Sequence, residues 1–175
     1  MRFYWEQGKF PSKAFSLFNF QDLDPFYLEN VNILIYGSKW QSVLIENGKD
    51  AILHNFPLSP IGQTEYYDIE PLLGYSGPIT NSHDTSFIES ALKIYSTWCV
   101  QVGIVAELIR FNPISRNHLV FDGRNPHLQC LESKPIAYMD LSPNVDVILA
   151  RYSQSCRYKV KKGLKKYSCS INNKL

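Results

Sequence analysis

The stretch WQSVLIENGKDAILHNFPL restricts the fold more than any other part of the chain. Two runs of β-type residues, Gln41 to Ile45 and Asp50 to Phe56, flank Asn47-Gly48, and this dipeptide takes the positive φ angles of a tight hairpin turn at low cost. The pattern predicts an antiparallel pair, which is stable only if further strands or a helix cover its apolar face. Its surroundings supply candidates. Upstream, FSLFNFQDLDPFYLENVNILIYGSKW is aromatic without long periodicity, which predicts short helices and turns wedging Phe15, Phe18, Phe20 and Phe26 against a sheet. Downstream, SPIGQTEYYDIEPLLGYSGPITNSHD holds Gly62, Gly74, Gly77 and three prolines, so it reads as a long ordered loop with one short strand.

A helix is expected next. Ser86 followed by Glu89 forms a capping-box pattern, and Phe87, Ile88, Ala91, Leu92, Tyr95, Trp98, Cys99 and Val102 recur along one helical stripe that Gly103 ends. IVAELIRF, NHLVFD and ESKPIAYMDLS then read as strands, with Glu107 set among apolar neighbours. Ser142-Pro143 is expected to open a helix that carries Val145, Ile148, Leu149 and Tyr152 and runs on into a basic segment. The sum is an α/β (α+β) domain with a mixed, largely antiparallel sheet flanked by helices.

Charge is distributed unevenly. Arg151 to Leu175 holds 8 of the 18 Lys and Arg residues and no acidic residue, which leaves 10 basic against 16 acidic groups, or −6, elsewhere. Arg157, Lys161 and Lys162 are candidates for binding an anion or phosphate, the alternative being a solvated helix face whose last lysines are favoured by the helix dipole. Recognition of a specific DNA is not expected. No apolar run is long enough to span a bilayer and no signal-peptide pattern opens the chain, so a cytoplasmic protein is expected.

Several chemistries find no support. Gly74-Tyr75-Ser76-Gly77 misses the nucleophile-elbow spacing and precedes Pro78, against a serine hydrolase. His54, His83, His118 and His127 match no metal-ligand spacing, and Cys99, Cys130, Cys156 and Cys169 contain no C-x-x-C pair, so reduced structural thiols and no metal are expected. Both glycine-rich phosphate loops are absent. The glycine of QVGIVA follows a helix and precedes a strand, the reverse of a pyrophosphate loop.

In order, YYDIEPLLGYSGP, ELIRFNPISRNH, YMDLSP and RYKVKKGLK resemble the N-terminal half of the FemAB-like branch of the GNAT acyltransferase superfamily. The resemblance implies a GNAT-like domain over residues 24–152, a basic helix over 153–166 leading toward a second domain, and in 167–175 the start of that domain or a tail. It implies the acceptor-binding half of an N-acyl or aminoacyl transferase, with an amino-sugar or muropeptide-like acceptor from the cell wall or a surface polysaccharide. No cofactor is expected on this chain itself. Acyl-CoA or aminoacyl-tRNA would be held as donor by a second GNAT domain, separately encoded or supplied by self-association.

Asp68, Tyr75, Gly77, Arg110, Asn112 and Asn117 match the motif positions, and Asn112 stands where the family commonly has histidine. The resemblance implies that Tyr75 and Arg110 position the acceptor and that Gly77 lets backbone approach it. Loop architecture is the alternative for Asp68 and Asn117, and an ion pair with Glu107 or another carboxylate is the alternative for Arg110. No residue is assigned as catalytic. The competing reading is a degenerate GNAT-like domain that serves in interaction without catalysis.

Overall fold

The expected hairpin is the centre of the sheet. In the computed structural model, which describes residues 1–20, 28–131, 136 and 139–168, strand β2 (Trp40–Glu46) pairs antiparallel with β3 (Ala51–Pro60), with Glu46 opposite Ala51. Between them Gly48 has φ +108°, and the Asn47 side-chain oxygen accepts from the Asp50 N–H at 3.0 Å. Every residue of β2 is buried. A strand buried on both faces needs two cores, and the described residues form two.

Met1–Ser133 and Lys134–Leu175 form two compact units. The first holds a mixed, mostly antiparallel sheet in the order β1 (Arg2–Gln7), β2, β3, β4 (Tyr67–Ile69), β6 (Ile104–Glu107), with β5 (Ile79–Thr80) also paired to β3. Among the described strands only the β4–β6 pair is parallel. Two strands, not one, therefore lie within the long Gly/Pro-rich segment. β1 is an addition to the sequence reading, and it places sheet ahead of residue 24. RFYWEQ sets three aromatic residues side by side and so shows no apolar/polar alternation, yet its register places Phe3 and Trp5 against Trp98, with ring centroids at 5.5 and 5.4 Å.

One face of the sheet carries α2 (Thr85–Gln101), whose Phe87, Ile88, Ala91, Leu92 and Trp98 pack with Val43, Ile45, Ile52 and Phe56. The cap of α2 differs from expectation. Asp84 caps it, accepting from the Ser86 and Phe87 amides at 2.9 and 3.3 Å, so Ser86 lies inside the helix rather than before it. Gly103, at φ +77°, ends the helix as expected.

The opposite face is covered by Phe10, Ala14 and Leu72 over Trp40, Leu44 and Leu53, with Phe18 and Phe20 partly buried beside them. A 3-10 turn (Ser12–Ser16) and α1 (Glu29–Tyr36) are the expected short helices, while Phe26 lies outside the described residues.

NHLVFD is not a strand. It forms the short helix α3 (His118–Phe121), because the turn before it, with Arg116 at φ +52°, breaks the extended path and buries Phe121 without a pairing partner. Residues 132–135 and 137–138 of the third expected strand lie outside the described residues, and Met139 to Leu141 are not in a strand.

In the second unit, α4 (Val145–Ala150) starts at Asn144, whose side chain accepts from the Val147 amide, rather than at Ser142-Pro143. The chain turns at 151–153, and Ser153 caps a separate helix, α5 (Gln154–Lys166). Residues 169–175 lie outside the described residues, and so does any strand in YSCSINNKL beyond its first two positions.

Candidate functional site

Alternation along β3 turns Ile52, His54 and Phe56 toward α2. A histidine therefore stands in a row of core residues, at 5% exposure. Its Nε2 meets Glu107 Oε1 from the end of β6 at 2.5 Å. Tyr95 on α2 donates its hydroxyl to Glu107 Oε2 at 3.0 Å, and its ring lies 5.6 Å from the imidazole. Both carboxylate oxygens are thus engaged. Because the Nε2 proton is directed at a carboxylate, the neutral ring carries its lone pair on Nδ1. That Nδ1 is buried and has no hydrogen-bond partner among the described residues.

His54, Tyr95 and Glu107 line a cavity of about 540 Å³ between α2 and the sheet. Its walls are otherwise largely apolar, with Ile52, Leu92, Ile104, Phe111 and Phe121 among them, and exposed Val100 and Val105 also contribute. Volume and composition fall within the range of small-molecule sites, in which a few polar groups orient an apolar ligand body.

Cys99 also lines the cavity. Burial first, and then the negative charge of Glu107, push its thiol up to about 12, so it is a neutral wall and not a thiolate nucleophile at neutral pH. Burial and the same carboxylate raise the Tyr95 hydroxyl well above the usual tyrosine value, which keeps it a donor. Cys99, Cys130 and Cys156 are free thiols. No group of three or more potential metal ligands occurs among the described residues.

Glu46, a fully buried carboxylate, offers no comparable opening. It accepts from Tyr4 Oη at 3.2 Å, pairs with Arg2 Nε at 2.9 Å and receives the Gly48 amide, so it closes the hairpin. What singles out His54 is a buried polar atom left over beside a cavity.

The residues singled out by resemblance fall into three places. Tyr75, Gly77, Arg110, Asn112 and Asn117 come together where the 74–78 loop docks on residues 109–117. The Ser76 amide donates to Arg110 O at 2.6 Å, and buried Asn117 donates to Ser76 O and Pro78 O at 3.1 and 3.2 Å while accepting from the Asn112 amide at 2.9 Å. Asn117 thus ties two loops together. Gly77 has φ +96°, and a Cβ there would lie 2.9 Å from Ile109 Cγ2 and 3.0 Å from Phe111 Cδ1, so its close neighbour is the protein's own wall. Asn112 accepts from the Ile114 and Ser115 amides as a turn former. Tyr75 and Arg110 remain exposed, and Glu107 turns to His54 and Tyr95 rather than to Arg110.

Asp68 lies apart on β4, opposite Ser59 and Ala106. Arg157, Lys161 and Lys162 lie on exposed positions of α5 in the second unit.

Sequence reasoning reached Glu107 as an acid among apolar neighbours but passed over His54 and read Tyr95 only as part of the helix stripe. The available signal was the inward register of position 54, between Ile52 and Phe56. No family model, curated protein or solved structure matches the chain.

Proposed function

We propose that the chain is the acceptor-side half of an N-acyl transferase in which His54 serves as proton acceptor. One observation carries the proposal: a buried histidine, with Nε2 held by Glu107 and Nδ1 left open, lines a cavity large enough for a small ligand. The ordered sequence motifs supply the reaction class. As an amine attacks an acyl carbonyl, the N–C bond forms, the bond from the acyl carbon to its leaving group breaks, and the amine loses a proton. Nδ1 of His54 takes that proton and returns it to the leaving group. Glu107 stabilises the imidazolium, and Tyr95 holds the carboxylate in place. Tyr75 and Arg110, exposed on the docked loops, are available to an amino-sugar acceptor, while the donor is bound by a second domain.

A chemically activated donor tests the acceptor half without that domain. Aminolysis of p-nitrophenyl acetate by glucosamine or hexylamine, followed as N-acetyl product, is expected to be accelerated by the wild-type chain. The His54→Gln variant should lose about 100-fold of that rate. A His54→Gln chain with unchanged circular dichroism and the wild-type rate would refute the assignment.

The second reading is a domain that binds a partner without catalysis. Val105 and Leu108 are 64% and 61% exposed along and just beyond β6, whose strand partner among the described residues is β4, and Val100 at the end of α2 is 78% exposed.

A further inference from the structure

Helix α5 is strongly polarised in composition. At 3.6 residues per turn, Arg157, Lys161, Lys165, Lys162, Lys166 and Lys159 succeed one another around an arc of about 200°. Cys156, Val160, Gly163 and Leu164 occupy the remainder. Tyr158 projects from the middle of the cationic arc and is 66% exposed. The first three of the opposite set are half-buried, so the cationic face and its tyrosine are the outward side.

A helix shaped only by its own dipole would not look like this. Lys165 and Lys166 in the last turn suit the dipole, but no acidic residue lies in the first turn. The pairs 157/161, 161/165 and 162/166 place like charges four apart, where they repel. Among the described residues none of the six cations is in an ion pair. Such self-repulsion is relieved by an external polyanion. A lipid surface is the weaker fit, since an interfacial helix needs a broad, bulky apolar face and here that face includes cysteine and glycine.

We infer that α5 is a binding surface for single-stranded nucleic acid, in which its cations follow the phosphates and Tyr158 stacks on a base. The inference is independent of the cavity in the first unit. From Arg157 to Lys166 the helix spans about 14 Å, enough for about three phosphates.

Fluorescence anisotropy of a labelled oligouridine of about 12 nucleotides with the full chain, between about 50 and 200 mM salt, tests this. The expected slope of log affinity against log salt is about −2. Lys161→Gln with Lys162→Gln should make it shallower by about 1.4. Tyr158→Ala should weaken binding about tenfold without changing the slope, and Tyr158→Phe should bind as wild type. Equal affinity of Tyr158→Ala and wild type, equal competition by polyglutamate, or binding to phosphatidylserine vesicles in place of oligouridine would overturn it. Circular dichroism of each variant reports whether α5 is retained.

Discussion

The Cys99 thiol, the Tyr95 phenol and the Glu107 carboxylate share one cavity wall, and their ionisations are linked. The Cys99 thiol stands at about 12 against an ordinary 9.0, from burial and then from Glu107. Its folded value is the raised one, so its contribution to stability is complete below about 9 and is lost as pH rises from there through about 12. Glu107→Gln removes the second cause and leaves the first. The alkylation midpoint of Cys99, followed by iodoacetamide and mass spectrometry, should therefore fall from about 12 yet stay above 9.0. A midpoint near 9.0 in the wild type would place the thiol in water, outside the cavity.

This residue scale was the least legible in the sequence. His54 was hidden because a single histidine in a strand is most often a satisfied or surface residue, and its open Nδ1 depends on a carboxylate more than fifty residues away. Asn117 shows the opposite case. Its chemistry, bonding neighbouring amides to shape loops, was legible from residue type, and the structure adds which loops it joins.

At the scale of elements, strong local chemistry was legible and competing local chemistry was not. Asn47-Gly48 produced its hairpin and Gly103 ended its helix. The cap of α2 was displaced because Asp84 and Ser86 are both good cap residues two positions apart, and only the path of the preceding loop decides between them. Likewise the β-type residues of NHLVFD yielded to the turn before them.

Two glycines show how context reverses the sign of one substitution. Gly77→Ala meets both a positive φ and Ile109 and Phe111 at about 3 Å, and should cost more than about 2 kcal/mol while loosening the 74–78 loop. Gly163→Ala in α5 meets no atom within 4 Å and should strengthen that helix by about 1 kcal/mol. Chemical denaturation and far-UV circular dichroism of the two variants check the contrast, and a stabilising Gly77→Ala would contradict the docking described above.

At the scale of the first unit as a whole, sheet class and mixed topology followed from the hairpin, the helix and the Gly/Pro-rich connections. β1 did not, because the three adjacent aromatics of RFYWEQ hide any alternation and its place depends on pairing with a strand more than thirty residues on. The cavity was not legible either. It is assembled from β2, β3, α2, β6 and the segment after them, and no local pattern records where such distant segments leave space. Among the described residues no helix is long and apolar enough to cross a membrane.

As a ligand site, this space would offer His54 Nδ1 as its open polar atom. Long-range 1H–15N correlation spectra of the histidine rings, recorded before and after addition of hexylamine, test this. The His54 ring is expected to carry its proton on Nε2 and its bare Nδ1 resonance to shift as the amine binds, with the tautomer preference weakened in Glu107→Gln. A His54 ring protonated on Nδ1, or one that does not respond to the amine, would contradict it.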